Sequence, residues 1–194
     1  MTRNKPRIFL TLHPRGKNSL GDARQKLHHS AFHWGILISP KHTCHPLSSI
    51  STPKSSTHVH FDVSDSIYIN PSTNEAERDK WRFRVRKSSD PCVEFQILSR
   101  VFVGKVPRRY EGVNLRVIRE EFGGIALPER ERGQNCVSWT REALGVLVDM
   151  GVLEEGFDIQ NCMDVALGFA DKCIAEQRGL GSVLDFTNRA GAFI

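Results

Sequence analysis

A chain of 194 residues with 39% hydrophobic and 25% charged side chains is long enough to bury a core as one domain, and too apolar to be a disordered segment. Its net charge of +5 permits an anionic substrate or RNA without requiring either. Five cysteines, odd in number and without CxxC spacing, argue against a disulfide framework and for reduced thiols, hence a cytoplasmic protein. No apolar run approaches the ~18 residues of a membrane span, and residues 8–12 after the basic N-terminus are too short for a signal-peptide core.

In chain order, residues 7–13 (RIFLTLH) are β-branched and apolar and are closed by Pro14 and Gly16, which predicts a first strand. Residues 17–30 are polar, with a short helix over 21–27. Residues 31–38 (AFHWGILI) are almost continuously apolar, as in a central strand buried on both faces. His33 is the strongly polar group in that strand. A buried imidazole needs a partner, and it is also a usable general base near neutral pH. Residues 39–57, with three prolines and many Ser and Thr, read as a surface-loop insertion in a single domain spanning 1–194.

Residues 58–64 alternate, with Val59, Phe61 and Val63 on one face and His58, His60 and Asp62 on the other; residues 67–69 are expected to continue this third strand. Residues 81–87 (WRFRVRK) alternate more clearly still, with Arg82, Arg84 and Arg86 opposite Trp81, Phe83 and Val85. The arginines are either a solvated sheet face or an anion-binding stripe. Their separation from the aromatics counts against nucleic acid, where the two are usually interleaved. Residues 93–103 predict a long strand pairing with the arginine strand across the turn at 88–91. A short amphipathic helix follows, marked by Leu115, Ile118 and Phe122 and stopped by Gly123-Gly124.

The stretch QNCVSWTREAL at 134–144 then opens a helix running to about Met150. A cysteine in the first turn of a helix faces unpaired N–H groups and the positive dipole end, which favour the thiolate and can hold an acyl oxyanion. Cys136, Trp139, Ala143, Leu147 and Met150 also form one apolar stripe, so the same cysteine can be read as core. Asp158 caps a last helix whose stripe includes Cys162 and Cys173, both read as core thiols.

The order of a His-Trp strand, a His-x-Phe strand, two further strands and Asn-Cys-x-x-Trp opening a helix resembles the permuted papain-like fold. That group includes NlpC-type and lecithin–retinol acyltransferase-like enzymes. The chain is also similar to uncharacterised fungal proteins pairing His-Trp with Asn-Cys-Val-Ser-Trp. The resemblance spans roughly residues 31–150 and rests on His33-Trp34, His60 and Asn135-Cys136. It implies an α+β domain whose central antiparallel sheet has helices on one side, with Cys136 as nucleophile, His33 as its base and His60 orienting the imidazole. His58 and Asp62 share the His60 face and stand as alternatives for the third role. Asn135, Trp34 and the Cys136 N–H are expected to position substrate or oxyanion. Two departures matter. The acyltransferases continue Asn-Cys-Glu-His where this chain has Asn-Cys-Val-Ser, and they carry a C-terminal membrane helix that this chain lacks, so their lipid substrates do not transfer.

The expected function is thiol-dependent transfer or hydrolysis of an amide or ester acyl group on a small-molecule or peptide substrate. One alternative is aminoacyl transfer from an anionic carrier such as charged tRNA, held by Arg82, Arg84 and Arg86. Another is a papain-like binding module without catalysis. No cofactor is expected. A metal is not expected either, because His42, Cys44, His45, His58 and His60 lack the regular spacing of zinc ligands.

Overall fold

Strand alternation divides the sheet into an apolar face and a face that carries the polar residues of the site. The computed structural model describes residues 5–40, 57–69, 72, 74–77, 80–110 and 115–187. In chain order its elements are β1 (Arg7–Pro14), α1 (Gly21–Leu27), β2 (Phe32–Ser39), β3 (His58–Ser64), β4 (Tyr68–Ile69), β5 (Ala76–Glu77), β6 (Arg82–Ser88), α2 (Pro91–Glu94), β7 (Ser99–Lys105), α3 (Arg116–Gly124), α4 (Cys136–Asp149), α5 (Ile159–Ala175) and β8 (Ser182–Asp185). The architecture is α+β. A six-stranded sheet runs in the order β6-β3-β2-β1-β7-β8, and β4 and β5 pair separately.

One face of the sheet presents Leu10 and Leu12 from β1, Trp34 and Ile36 from β2, and Phe61 and Val63 from β3, all fully buried. There α4 lies over β2 and β3, and α5 over β1 and β7. Phe61, Phe83, Phe122 and Trp139 form an aromatic cluster between β3, β6, α3 and α4, with ring centroids 5.2–6.3 Å apart. Trp139, one turn after Cys136, thereby fixes the first turn of α4 against the sheet. The opposite face carries a small apolar cluster of Phe9, Leu37 and Ile97 with Phe95 and Phe102 against it, and beside it the polar side chains described below.

Four expectations are corrected. Residues 93–103 are not one strand. Pro91 at the start of α2 and the Asp90 carboxylate accepting from Val93 N–H coil the chain, and Gln96 turns it at φ 54° before β7 begins. The strand β7 pairs with β1 and β8 rather than with β6, which lies at the far edge of the sheet. Because β7 and β8 run parallel, the sheet is mixed and not wholly antiparallel. Residues 68–69 do not extend β3 but form a two-stranded ribbon with residues 76–77. Of the expected loop insertion, residues 41–56 lie outside the described residues.

The β2–β3 ladder contains three pairs, Ile36–Phe61, Leu37–His60 and Ile38–Val59, and stops there. Beyond it, toward the start of β2, no further pairs form and side chains meet instead of backbones. Gly35 makes this approach feasible. A Cβ at that position would sit 2.7 Å from His60 Cε1 and 2.8 Å from both His60 Nε2 and the Phe61 carbonyl oxygen. Gly35→Ala is therefore expected to destabilise the fold by about 1–3 kcal/mol in urea unfolding. Gly145→Ala, in α4 with open space around it, should stabilise by up to about 1 kcal/mol in the same measurement. Equal effects of the two changes would contradict the close packing at Gly35.

Candidate active site

The first turn of α4 is built by its cap. Asn135 Oδ1 accepts from Val137 N–H at 2.8 Å, while Ser138 Oγ accepts from Asn135 N–H at 3.0 Å and donates to the Asn135 carbonyl at 2.8 Å. Asn135 Nδ2 donates to Ser30 Oγ at 3.0 Å, tying the helix start to the segment that enters β2. Cys136 follows, 1% exposed, with Sγ 4.0 Å from the Phe32 carbonyl oxygen. As the first helical residue, its N–H has no intrahelical acceptor.

The His33 side chain is 20% exposed, and its Nε2 lies 2.9 Å from Oδ2 of the fully buried Asp62. The Cys136 thiol, whose Sγ lies against the carbonyl of the preceding residue Phe32, acts on the same imidazole. Burial alone would lower the His33 pKa. The hydrogen bonds to Asp62 and Cys136, and the attraction of the same two groups, outweigh it and push the pKa up to about 9. Burial would likewise raise the Asp62 pKa, but the hydrogen bonds from His33 and Arg84 and the neighbouring histidines hold it well below the usual carboxylate range. Arg84 grips Asp62 through Nε at 2.9 Å and Nη2 at 2.6 Å, and Arg86 Nη2 adds a contact at 2.8 Å.

A second polar line runs behind this one. Arg86 Nη2 is 3.2 Å from His60 Nδ1; an arginine only donates, so His60 Nδ1 accepts and the ring proton sits on Nε2. His13 Nδ1 is 2.7 Å from the Phe95 carbonyl, which only accepts, so that nitrogen carries the His13 proton and Nε2 accepts. The two Nε2 atoms are 3.2 Å apart, and Thr11 Oγ1 bridges them at 3.0 and 3.2 Å. Both rings are therefore neutral. Burial, joined by His33, lowers the His13 pKa to about 3, and burial with His13 lowers that of His60 well below the ordinary value.

The chain matches the "Family of unknown function (DUF6914)" over residues 5–190. It belongs to that family. Neither a curated protein nor a solved structure matches it. The site of this DUF6914 member therefore stands on its own geometry.

That geometry brings together Cys136, His33 and Asp62, and it changes the expected part of several residues. His60 does not orient His33, because both of its nitrogens are engaged by Arg86, Thr11 and His13; Asp62 occupies that place. His58 is bonded to Ser39 through Nδ1, at the other end of β3. Trp34 cannot position a substrate. As the neighbour of His33 in a strand it points to the opposite face, where it is fully buried with Nε1 donating to the His29 carbonyl at 2.7 Å. Asn135 spends its side chain on the cap and on Ser30. Arg84 and Arg86 are turned onto Asp62, and Arg82 Nη1 reaches the Ser66 carbonyl at 3.3 Å.

Thr11, His13 and Phe95 were not read from the sequence as site residues; the available signal was the alternation of β1, which puts Thr11 and His13 on the face opposite Leu10 and Leu12. His42, Cys44 and His45 lie outside the described residues, among which no His, Cys, Asp and Glu cluster has a metal-holding arrangement. Nor is any helix among them long and apolar enough to cross a membrane. A cavity of about 950 Å³ lies at the opposite end of the sheet, between Lys105, Leu153, Phe157 and Phe186, and none of the Cys136 group lines it.

These protonation states set a pH dependence with two signs. His13 and His60 are neutral when folded but bind a proton when unfolded below pH about 6.5, so stability falls with acidification, by about 2 kcal/mol for each ring between pH ~7 and ~5. The raised His33 pKa contributes stability that is full below about 6.5 and lost as pH rises toward about 9. Urea unfolding is expected to show a maximum near neutrality, with the acid limb flattened in His60→Gln and the alkaline limb in His33→Gln. A wild-type stability that climbs steadily from acid to alkaline pH would contradict the His33 assignment.

Proposed function

We propose that the protein is a thiol-dependent acyltransferase or hydrolase acting on an amide or ester, with a permuted papain-like arrangement in which the histidine strand precedes the cysteine helix. The observation that supports this reading is the line Cys136–His33–Asp62 at a helix N-terminus, with His33 bonded to a buried carboxylate at 2.9 Å and the Cys136 thiol acting on the same imidazole. A cysteine serving only as core has no need of an imidazole held by a carboxylate.

In the proposed reaction the proton of the Cys136–His33 pair rests on His33, whose pKa is raised to about 9, and Sγ of Cys136 attacks the acyl carbon. The oxyanion forms against the Cys136 N–H. As it collapses, the bond to the nitrogen or oxygen leaving group breaks, and His33 returns the proton to that group. Water, an amine or an alcohol then gives its proton to His33 and attacks the thioester, and the sulfur is released beside the protonated imidazole, which restores the starting state. Asp62 stays ionised throughout, holding the ring and its charge.

One observation favours a second reading, a binding module without turnover: Cys136 is 1% exposed. Exposure to p-nitrophenyl acetate separates the two. Catalysis predicts release of p-nitrophenol with a transient acetyl mass on Cys136, absent in Cys136→Ala and slowed about 10²–10⁴-fold in His33→Ala. Unchanged release from either variant, or acetylation spread over lysines with Cys136 unmodified, would favour the module.

A further inference from the structure

The charges around Asp62 are not balanced. A single carboxylate receives two N–H donors from Arg84, one from Arg86 and one from His33. His13 and His60 are neutral by their hydrogen-bond geometry. Among the described residues, two guanidiniums against one carboxylate leave one positive charge in excess before His33 is counted. A half-buried guanidinium has lost part of its hydration, a loss that an added anion would offset.

The arginines are also held in a form suited to a ligand. Asp62 is fully buried, whereas the side chains of Arg84 and Arg86 are 32% and 29% exposed, so each guanidinium bridges the buried carboxylate and solvent. Arg84 is fixed by two bonds to Asp62 through Nε and Nη2, which leaves Nη1 on its outer side. Arg86 is fixed by Asp62, by His60 Nδ1 and by the Phe95 ring, whose centroid lies 4.2 Å from the guanidinium carbon. The two residues stand two apart on one face of β6, opposite Asp62 and His60. Forks already immobilised lose little entropy on capturing a planar or tetrahedral oxyanion.

We propose that the outer edges of Arg84 and Arg86 form a subsite for an anionic group, a carboxylate or a phosphate, carried by the molecule that Cys136 and His33 act on. The link to Cys136 rests on the acyl-transfer reading; the anion subsite itself does not. The subsite takes a small anionic substituent beside the reacting acyl group. It explains why Asp62 has two arginines when one would orient it.

The test follows the Nε–H signals of Arg84 and Arg86 by nitrogen-15 NMR during separate titrations with inorganic phosphate and acetylglycine, at ionic strength held constant with chloride. Saturable shifts of both signals with either probe, and none of saturating form at the exposed Arg132, are expected. The probe that saturates at lower concentration identifies the group as phosphate or carboxylate. Arg84→Lys, which keeps the charge but not the outer nitrogen, should lose the saturation; Arg86→Lys is the parallel variant should the first fail to fold. Linear shifts shared with Arg132, or saturation by chloride alone, overturn the subsite. The saturating probe should also protect Cys136 from iodoacetamide. Saturation at the arginines without any His33-dependent reactivity of Cys136 would leave the subsite standing and sink the acyl-transfer reading.

Discussion

The site depends on one buried carboxylate. Asp62 is fully buried, and such a group survives as an anion only if its oxygens are satisfied by strong donors. Here four N–H groups from three side chains converge on it, and the two arginines that supply three of them come from the neighbouring edge strand. Removing the carboxylate would strand two guanidiniums and release the imidazole. The local order of the β3–β6 pair and the orientation of His33 thus follow from a single charge.

Around that charge the fold separates two tasks. The apolar face of the sheet, with the Phe61, Phe83, Phe122 and Trp139 cluster, positions α4 and hence Cys136. The polar face positions His33. The two meet where the β2–β3 ladder stops after Ile36, the place where a strand side chain can approach a helix N-terminus. Gly35 and the neutral His60–Thr11–His13 line fill the space behind, supporting Arg86 rather than touching the thiol.

Much of this was legible in the sequence, and the exceptions have physical causes. Alternation assigned the faces of residues 58–64, the stretch from Gln134 marked the start of one helix and the cap at Asp158 that of another, because these are local effects of backbone geometry. Alternation says which face a side chain occupies but not what lies opposite, so His60 and Asp62, two residues apart on one face, could not be told apart. Their neighbours depend on a β2–β3 register set across residues 40–57. The partner of β7 was missed for the same reason: a turn nearby in sequence suggested β6, whereas the pairing is with the distant β1. Trp34 is different. Strand geometry already forbade it from sharing a side with His33, so placing both at one site conflicted with the alternation used elsewhere.

The most direct measurement is the pH dependence of alkylation at each cysteine, resolved by mass spectrometry, in the wild type and in Asp62→Asn. Cys162, whose pKa burial and Asp158 push up to about 12, and Cys173, raised chiefly by burial, serve as internal references for core thiols. Alkylation of Cys136 that persists below the pH range of an ordinary thiol, and retreats toward that range in Asp62→Asn, is the expected result. A Cys136 as inert as Cys162 at every pH, or one indifferent to Asp62, would contradict a thiol activated through His33.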